Sequence, residues 1–353
     1  MRVGILTSGG DCAGLNAIMY GFAKTITGID PKVEIYGIAD GFAGLINRGY
    51  RKIQHEEFNG ILNLGGTILG TSRQPYKKLI APEGQDKIAM MKENYNMMDL
   101  DCLLVLGGQG THKTAGLLSK EGLNIITLPK TIDNDIYGTD FTFGFHTAVG
   151  VASDCIDRIR TTAASHGRTF VVEIMGNKVG WLALYSGMAG GADIILIPEI
   201  PYKIENVIKA AQKANNEKGY CIIIAAEGVI DEEEAQLPKK ERYEKREEKG
   251  ELTASNRIAK AIEEALGVET RVMVPGYIQR GGNPCAYDRV LCTQMGAYAA
   301  RLVDEKKYGV SVALEGQNVK HNKLSEIAGE TKSVAQNNEL LKAAKDTGIV
   351  FGD

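Results

Sequence analysis

Short aliphatic and β-branched runs alternate along the chain with longer amphipathic segments, a pattern that predicts βαβ units around a mainly parallel sheet. Strands are predicted at residues 3–7, 103–106, 124–128, 169–174, 194–197 and 220–226. Helices are predicted from Leu15, from His112, over 147–164 and over 255–266. In an open α/β sheet a ligand lies beyond the carboxyl ends of the strands, where the connecting loops meet. Glycines gather in such loops: Ser8, Gly9 and Gly10 follow the first strand, Gly65, Gly66 and Gly70 lie in a second turn, and Gly107, Gly108 and Gly110 follow a later strand. One glycine after a strand only lets the chain turn. Three loops along one edge predict a phosphate chain lying on backbone N–H groups and helix N-termini.

The length of 353 residues allows two domains or one large α/β unit. With 41 basic and 44 acidic residues the net charge is −3, so no field draws the chain to nucleic acid or to an anionic membrane, and neither partner is expected. The six cysteines form no C-x-x-C pair and no cluster with the five histidines, which disfavours structural zinc and makes a reducing cytoplasm the expected compartment. No targeting or membrane-spanning segment is expected, because MRVGILTSGG leads directly into a strand-like run and no apolar stretch approaches the ~18 residues needed. Residues 231–251, dense in Glu, Lys and Arg, predict a solvated helix or a mobile insertion.

GGQGTHKT at 107–114 is one residue away from a Walker A loop, with His112 where a glycine belongs. A Cβ there crowds the β-phosphate, so a looser nucleotide-phosphate loop is the better reading. PKTIDNDIYGTD at 129–140 places Asp133, Asn134 and Asp135 just after an apolar strand. Two carboxylates flanking an amide can divide the work, one taking a proton from an attacking hydroxyl and the other holding Mg²⁺. An Asx-rich turn is the alternative, and the three glycine loops tip the balance toward chemistry. SHGR at 165–168, Arg271 and YIQRGG at 277–282 add guanidinium forks suited to a substrate phosphate.

Taken together, TSGGDCAGLNA, GGTILGTSR, LGGQGT, PKTIDNDI, SHGRTFVVEIMG, GMAGGADIILIPE and ETRVMVPGYIQRGGNPCAYDR resemble the 6-phosphofructokinases, collinearly from the first residues to about Leu302. The resemblance implies two similar three-layer α/β domains with mainly parallel sheets facing across an active-site cleft. Residues 1–144 with 281–306 would bind the phosphoryl donor, and 145–280 with 307–353 the sugar phosphate. It implies a cytoplasmic, glycolytic, Mg²⁺-dependent kinase that moves the γ-phosphoryl of ATP to the C1 hydroxyl of fructose 6-phosphate. Asp133 becomes the general base, Thr131 its neighbour at the reacting phosphate and Arg73 the cation on the transferring group. Gly10, Arg73, Gln74, Gly108, Gln109, Gly110, Thr111 and Lys130 fall on the donor side, with Gln109 and Asp135 associated with the metal. Thr131, Asp133, Arg168, Met175, Gly176, Glu227, Arg271, Tyr277 and Arg280 fall on the sugar side. Arg168 and Arg271 are implied to reach in from a neighbouring subunit of a homo-oligomer, dimer or tetramer.

Two residues divide the donor assignment. Gly110 matches the ATP users of the family, whereas Lys130 before Thr-Ile-Asp is typical of its pyrophosphate users, so a pyrophosphate-dependent phosphotransferase stands as the alternative. Three positions depart from the pattern: Gln109 replaces the aspartate of GGDG, Asn177 the arginine after Met-Gly, and Tyr277 a histidine; the first two remove favourable charge, which keeps a slow enzyme, a shifted acceptor or a catalytically weak metabolite-binding paralogue open. Retention of Asp133, Asp135 and Arg73 favours an active kinase. At the family's effector positions Arg160, Lys24, Lys218 and Asp193 are kept while Tyr20 and Asn216 replace cations, so weak or absent allosteric control is expected.

Overall fold

Eleven strands organise the described residues, which in this computed structural model are 1–80, 86–248, 250 and 253–353. In chain order they are β1 (Arg2–Ser8), β2 (Glu34–Ile38), β3 (Tyr50–Ile53), β4 (Cys102–Gly107), β5 (Ile125–Pro129), β6 (Thr169–Ile174), β7 (Ile194–Leu196), β8 (Cys221–Ala226), β9 (Thr270–Met273), β10 (Val310–Glu315) and β11 (Asn318–Lys323). They form two sheets in two compact units. The first unit comprises Met1–Thr147 and Arg280–Lys332, the second Ala148–Gln279 and Ser333–Asp353.

The first unit carries a seven-stranded sheet in the order β11-β10-β5-β4-β1-β2-β3. Its five central strands run parallel, and β11 and β3 close the two edges antiparallel. Every residue of β4 and β5 is buried, which requires cover on both faces and explains their unbroken apolar runs. The second unit has an all-parallel sheet in the order β7-β8-β6-β9, whose central strand β8 is likewise buried throughout. Each unit has its own apolar core, around Leu6, Phe42, Leu103 and Val105 in the first and Val171, Ile223, Ile258 and Ile262 in the second.

The unit boundaries differ from expectation at 145–147 and at Arg280, which fall in the first unit, and over one longer stretch. Residues 307–332, expected with the sugar-phosphate domain, belong to the first unit, because β10 pairs in parallel with β5 and β11 then completes the sheet edge. The charged stretch 231–251 is also more than a solvated insertion. Its helix Lys239–Glu248 is tied down by Arg246, and Glu234 is buried. Lys249 and Glu251 lie outside the described residues. No helix among the described residues is long and apolar enough to cross a membrane.

Candidate active site

Strand order in the first sheet reverses between β1 and β4, since β2 lies on one side of β1 and β5 beyond β4 on the other. That reversal opens a crevice at the carboxyl ends of the strands. Ser8 pairs with Gly107 and Gly107 with Pro129, so the loops after β1, β4 and β5 leave the sheet side by side. The turn at 71–73 joins them, with Gly9 N–H donating to Ser72 O (3.0 Å) and Thr71 Oγ1 to Gly9 O (2.7 Å). Arg73 in this turn is exposed, Gln74 half-buried.

The helix Gln109–Lys120 begins directly after Gly108, with no side chain capping its N-terminus. Its first N–H groups are therefore donors without an intrahelical acceptor, directed at the loop edge. Gly110 sits there exposed, and a Cβ on it would meet no atom within 4 Å. The fold itself does not demand this glycine. Gly10 is the opposite case: a Cβ would come 1.8 Å from Arg280 Nη1, so a larger residue there would push this guanidinium aside. Arg280, expected in the sugar-phosphate domain, thus falls in the first unit, packed on a donor-side loop. Lys130 is buried and its ammonium donates to the Gly10 carbonyl, while burial lowers its pKa.

The segment 130–135 is held from several directions. Asn134 adopts a left-handed backbone (φ 54°) that asparagine tolerates better than most residues, and Thr142 N–H donates to its Oδ1 (3.0 Å). Asp133 N–H donates to Thr131 Oγ1 (3.0 Å), and Thr142 Oγ1 donates to Thr131 O (2.7 Å). Asn134 is therefore the structural member of the triplet, setting the two flanking carboxylates. Asp133 is half-buried and close enough to Lys130 for their charges to interact. Asp135 is buried, which pushes its carboxyl pKa up, and its Oδ1 has no hydrogen-bond partner.

Sequence reasoning missed the brace beneath this loop. Lys332 donates from Nζ to Asn134 Oδ1 (2.8 Å), Thr139 O (2.8 Å) and Asp140 O (2.7 Å), and from its backbone N–H to Asp135 O (2.9 Å). Burial pulls its pKa down to about 7, with Asp140 and Asp135 opposing. The neighbouring residues reach the donor loop, where Gln109 Nε2 donates to Glu330 O (3.0 Å) and to Thr331 Oγ1. The Gln109 amide nitrogen is thus engaged by protein.

In the second unit Ile174 pairs with Ala226, so Met175, Gly176 and Asn177 leave β6 beside Glu227 at the end of β8. Glu227 Oε1 accepts the N–H groups of Asn177 (2.6 Å) and Gly176 (3.3 Å), and Met175 N–H donates to Gln279 Oε1 (3.2 Å). Register between β6 and β9 brings Arg168 and Arg271 to one edge, and both bond Glu269, which sequence reasoning also missed. The hydrogen bond from Arg168 holds the Glu269 carboxyl below its ordinary range. Tyr277 is 79% exposed. At the effector positions of this unit, Lys218 is paired with Asp193 (2.6 Å).

Loops and carboxylates arranged in this way define a class of α/β protein that lays a phosphate chain on backbone N–H groups and acts on it with acidic side chains. Comparison with known proteins sharpens the class. A family model described as Phosphofructokinase matches residues 2–303. An ATP-dependent 6-phosphofructokinase of Spirochaeta thermophila is 48% identical over 356 residues, covering 99% of this chain and 97% of the relative. The ATP-dependent 6-phosphofructokinase 3 of Bacteroides thetaiotaomicron is 44% identical over 354 residues, 100% of each chain. A pyrophosphate-dependent phosphofructokinase of Marinobacter aquaeolei shares the fold at a TM-score of 0.82 and 22% identity, over 99% of this chain and 88% of that one. The chain belongs to the phosphofructokinase family.

Proposed function

We propose that the chain is an ATP-dependent 6-phosphofructokinase, transferring the γ-phosphoryl group to the C1 hydroxyl of fructose 6-phosphate. The observation that carries this reading is the registered edge of the first sheet, where three loops lie side by side with Asp133 and Asp135 at the end of the third. The names of the two relatives above 40% identity support ATP as donor. So does Gly110, where open space leaves room for a nucleotide.

In the transfer, Asp133 accepts the proton of the C1 hydroxyl as that oxygen bonds to the γ-phosphorus. The bond from phosphorus to the bridging oxygen breaks, and ADP leaves. The N–H groups of Gly10 and of the helix start at Gln109 receive the donor phosphates, Thr111 lies in that first turn, and Arg73 neutralises the group in flight. Lys130 works indirectly, fixing the Gly10 carbonyl and lending positive charge to the same edge. Among the described residues no three His, Cys, Asp or Glu side chains gather as a metal cage. The unpartnered Asp135 Oδ1 nonetheless fits Mg²⁺, which such sites hold through one or two carboxylates and the substrate's phosphates. Asp135, together with the Gln109 amide oxygen, would hold the ion, whose charge would offset that of the phosphates.

On the acceptor side Met175, Gly176 and Glu227 receive the sugar, and Arg280 and Tyr277 its 6-phosphate. Arg168 and Arg271, kept together by Glu269, serve a neighbouring subunit's site in a homo-oligomer. A coupled assay at saturating Mg²⁺ that compares ATP with pyrophosphate tests the reading. ATP is expected to give the higher kcat/KM. A preference for pyrophosphate overturns the donor assignment, and absence of turnover with either leaves the metabolite-binding paralogue.

A further inference from the structure

A cavity of about 420 Å³ in the second unit is lined by Asn177 and Glu227, from the ends of β6 and β8, and by Arg242 and Arg246 of the helix Lys239–Glu248. That volume suits a small phosphorylated metabolite. The two arginines differ in what they already hold. Arg246 donates from Nε (2.6 Å) and Nη2 (2.7 Å) to the Glu234 carboxylate, which Arg257 also grips through Nη1 (2.8 Å) and Nη2 (2.9 Å). This doubly matched carboxylate pins the helix. Arg242, one turn earlier on the same face, has its Nε buried without a hydrogen-bond partner. A buried donor left open on a cavity wall is a place for a ligand oxygen. Glu227 on the same cavity wall accepts two backbone N–H groups through Oε1, and Arg242 Nε stays without a partner. Asn177 also lines the cavity, uncharged where the resemblance leads one to expect an arginine.

We propose that Arg242 supplies the positive charge that position 177 lacks, binding a phosphate oxygen of the substrates in this cavity. The proposal rests on the phosphofructokinase reading above. A guanidinium suits a phosphate ester through its paired N–H groups, and the Glu234–Arg246 pair holds the helix that carries it in place before substrate arrives. The inserted charged helix thereby becomes part of the acceptor site.

The test is steady-state kinetics with ATP and fructose 6-phosphate on the wild type, Arg242→Met, Arg242→Lys, Asn177→Arg and the double variant Asn177→Arg/Arg242→Met. Methionine keeps the unbranched stem and the helix propensity while removing the charge. Arg242→Met is expected to lower kcat/KM about 10- to 100-fold, and Arg242→Lys to lose less. In the double variant Asn177→Arg should restore most of the loss, a coupling that a merely structural role does not produce. Wild-type kcat/KM in Arg242→Met, or a loss that Asn177→Arg leaves untouched, overturns the proposal. A wild-type chain that transfers no phosphoryl group overturns the phosphofructokinase reading itself, and the proposal falls with it.

Discussion

The carboxylate loop of the first unit and the acceptor edge of the second are both built at the carboxyl ends of parallel strands, yet they treat charge in opposite ways. Around 130–135, Lys130, Thr131, Asn134 and Asp135 are all buried, and Lys332 reaches in from far along the chain to brace them. At the Glu227 edge Glu227 and Asn177 are exposed, and at the opposite, amino ends of β6 and β9 Arg168 and Arg271 remain partly hydrated beside Glu269. A group that accepts a proton within one short encounter gains from a rigid, dry setting. Cations that meet an anionic substrate arriving from water can stay wet, provided a counter-charge keeps them aimed, because exposed ion pairs add little stability of their own.

The sharpest way to break this contrast is Asp133→Asn, expected to lower kcat by about 10²–10⁴. Fructose 6-phosphate binding measured by calorimetry should persist, since the amide keeps the shape of the acid. A variant retaining a tenth of wild-type turnover would place the base elsewhere.

Glu234→Gln probes the second unit's own buried exception to the contrast. Removing the anion leaves two guanidinia facing each other, and stability at pH 7 should fall by about 3 kcal/mol, read from urea midpoints. Burial pushes the Glu234 carboxyl up, but Arg246 and Arg257 outweigh it and bring the pKa from 4.5 to about 2. A carboxyl depressed in the folded state contributes stability above its unfolded pKa and loses it as pH falls through the folded one. The gap between wild type and variant should therefore narrow from pH 4.5 toward pH 2. A gap unchanged over that window means the carboxylate is not held by charge.

Lys332→Met has the smallest expected effect, about 10-fold in kcat, because a braced loop loosens while its carboxylates remain. The acceptor half-saturation concentration should hardly move. If it moves and kcat does not, the brace belongs to binding and the contrast between the units is misdrawn.

Part of this arrangement is legible in the sequence. The run 169–174 coincides with β6, and the apolar runs of β4 and β5 betray strands buried on both faces. The helix expected from His112 starts at Gln109 instead, because Gly108 takes the N-cap position and the glycine-containing stretch that follows is already helical. The strand β11, sequence NVKHNK, escapes notice because it has no apolar face and owes its place to pairing with β10. Long-range polar contacts leave no local trace at all. Lys332 is 198 residues from Asn134, and nothing around it distinguishes it from a surface lysine. Arg242 is likewise hidden in a run of interspersed Lys, Arg and Glu, and Glu269 reads as an ordinary glutamate until β6 and β9 are aligned.

The crossing of the chain from one unit to the other and back has a consequence for how the protein is made. The first sheet needs β10 beside β5, and those strands are separated by nearly all of the second unit. The second unit in turn uses residues near 350, where Val350 bridges to Ile194. At a synthesis rate of roughly 5–20 residues per second the stretch between Thr147 and Arg280 takes on the order of ten seconds to emerge. Through that interval β5 stands as an unfinished edge, its parallel partner not yet synthesised. Neither unit can finish folding before then: the first closes only once β10 and β11 are delivered, and the second only once the residues near 350 follow.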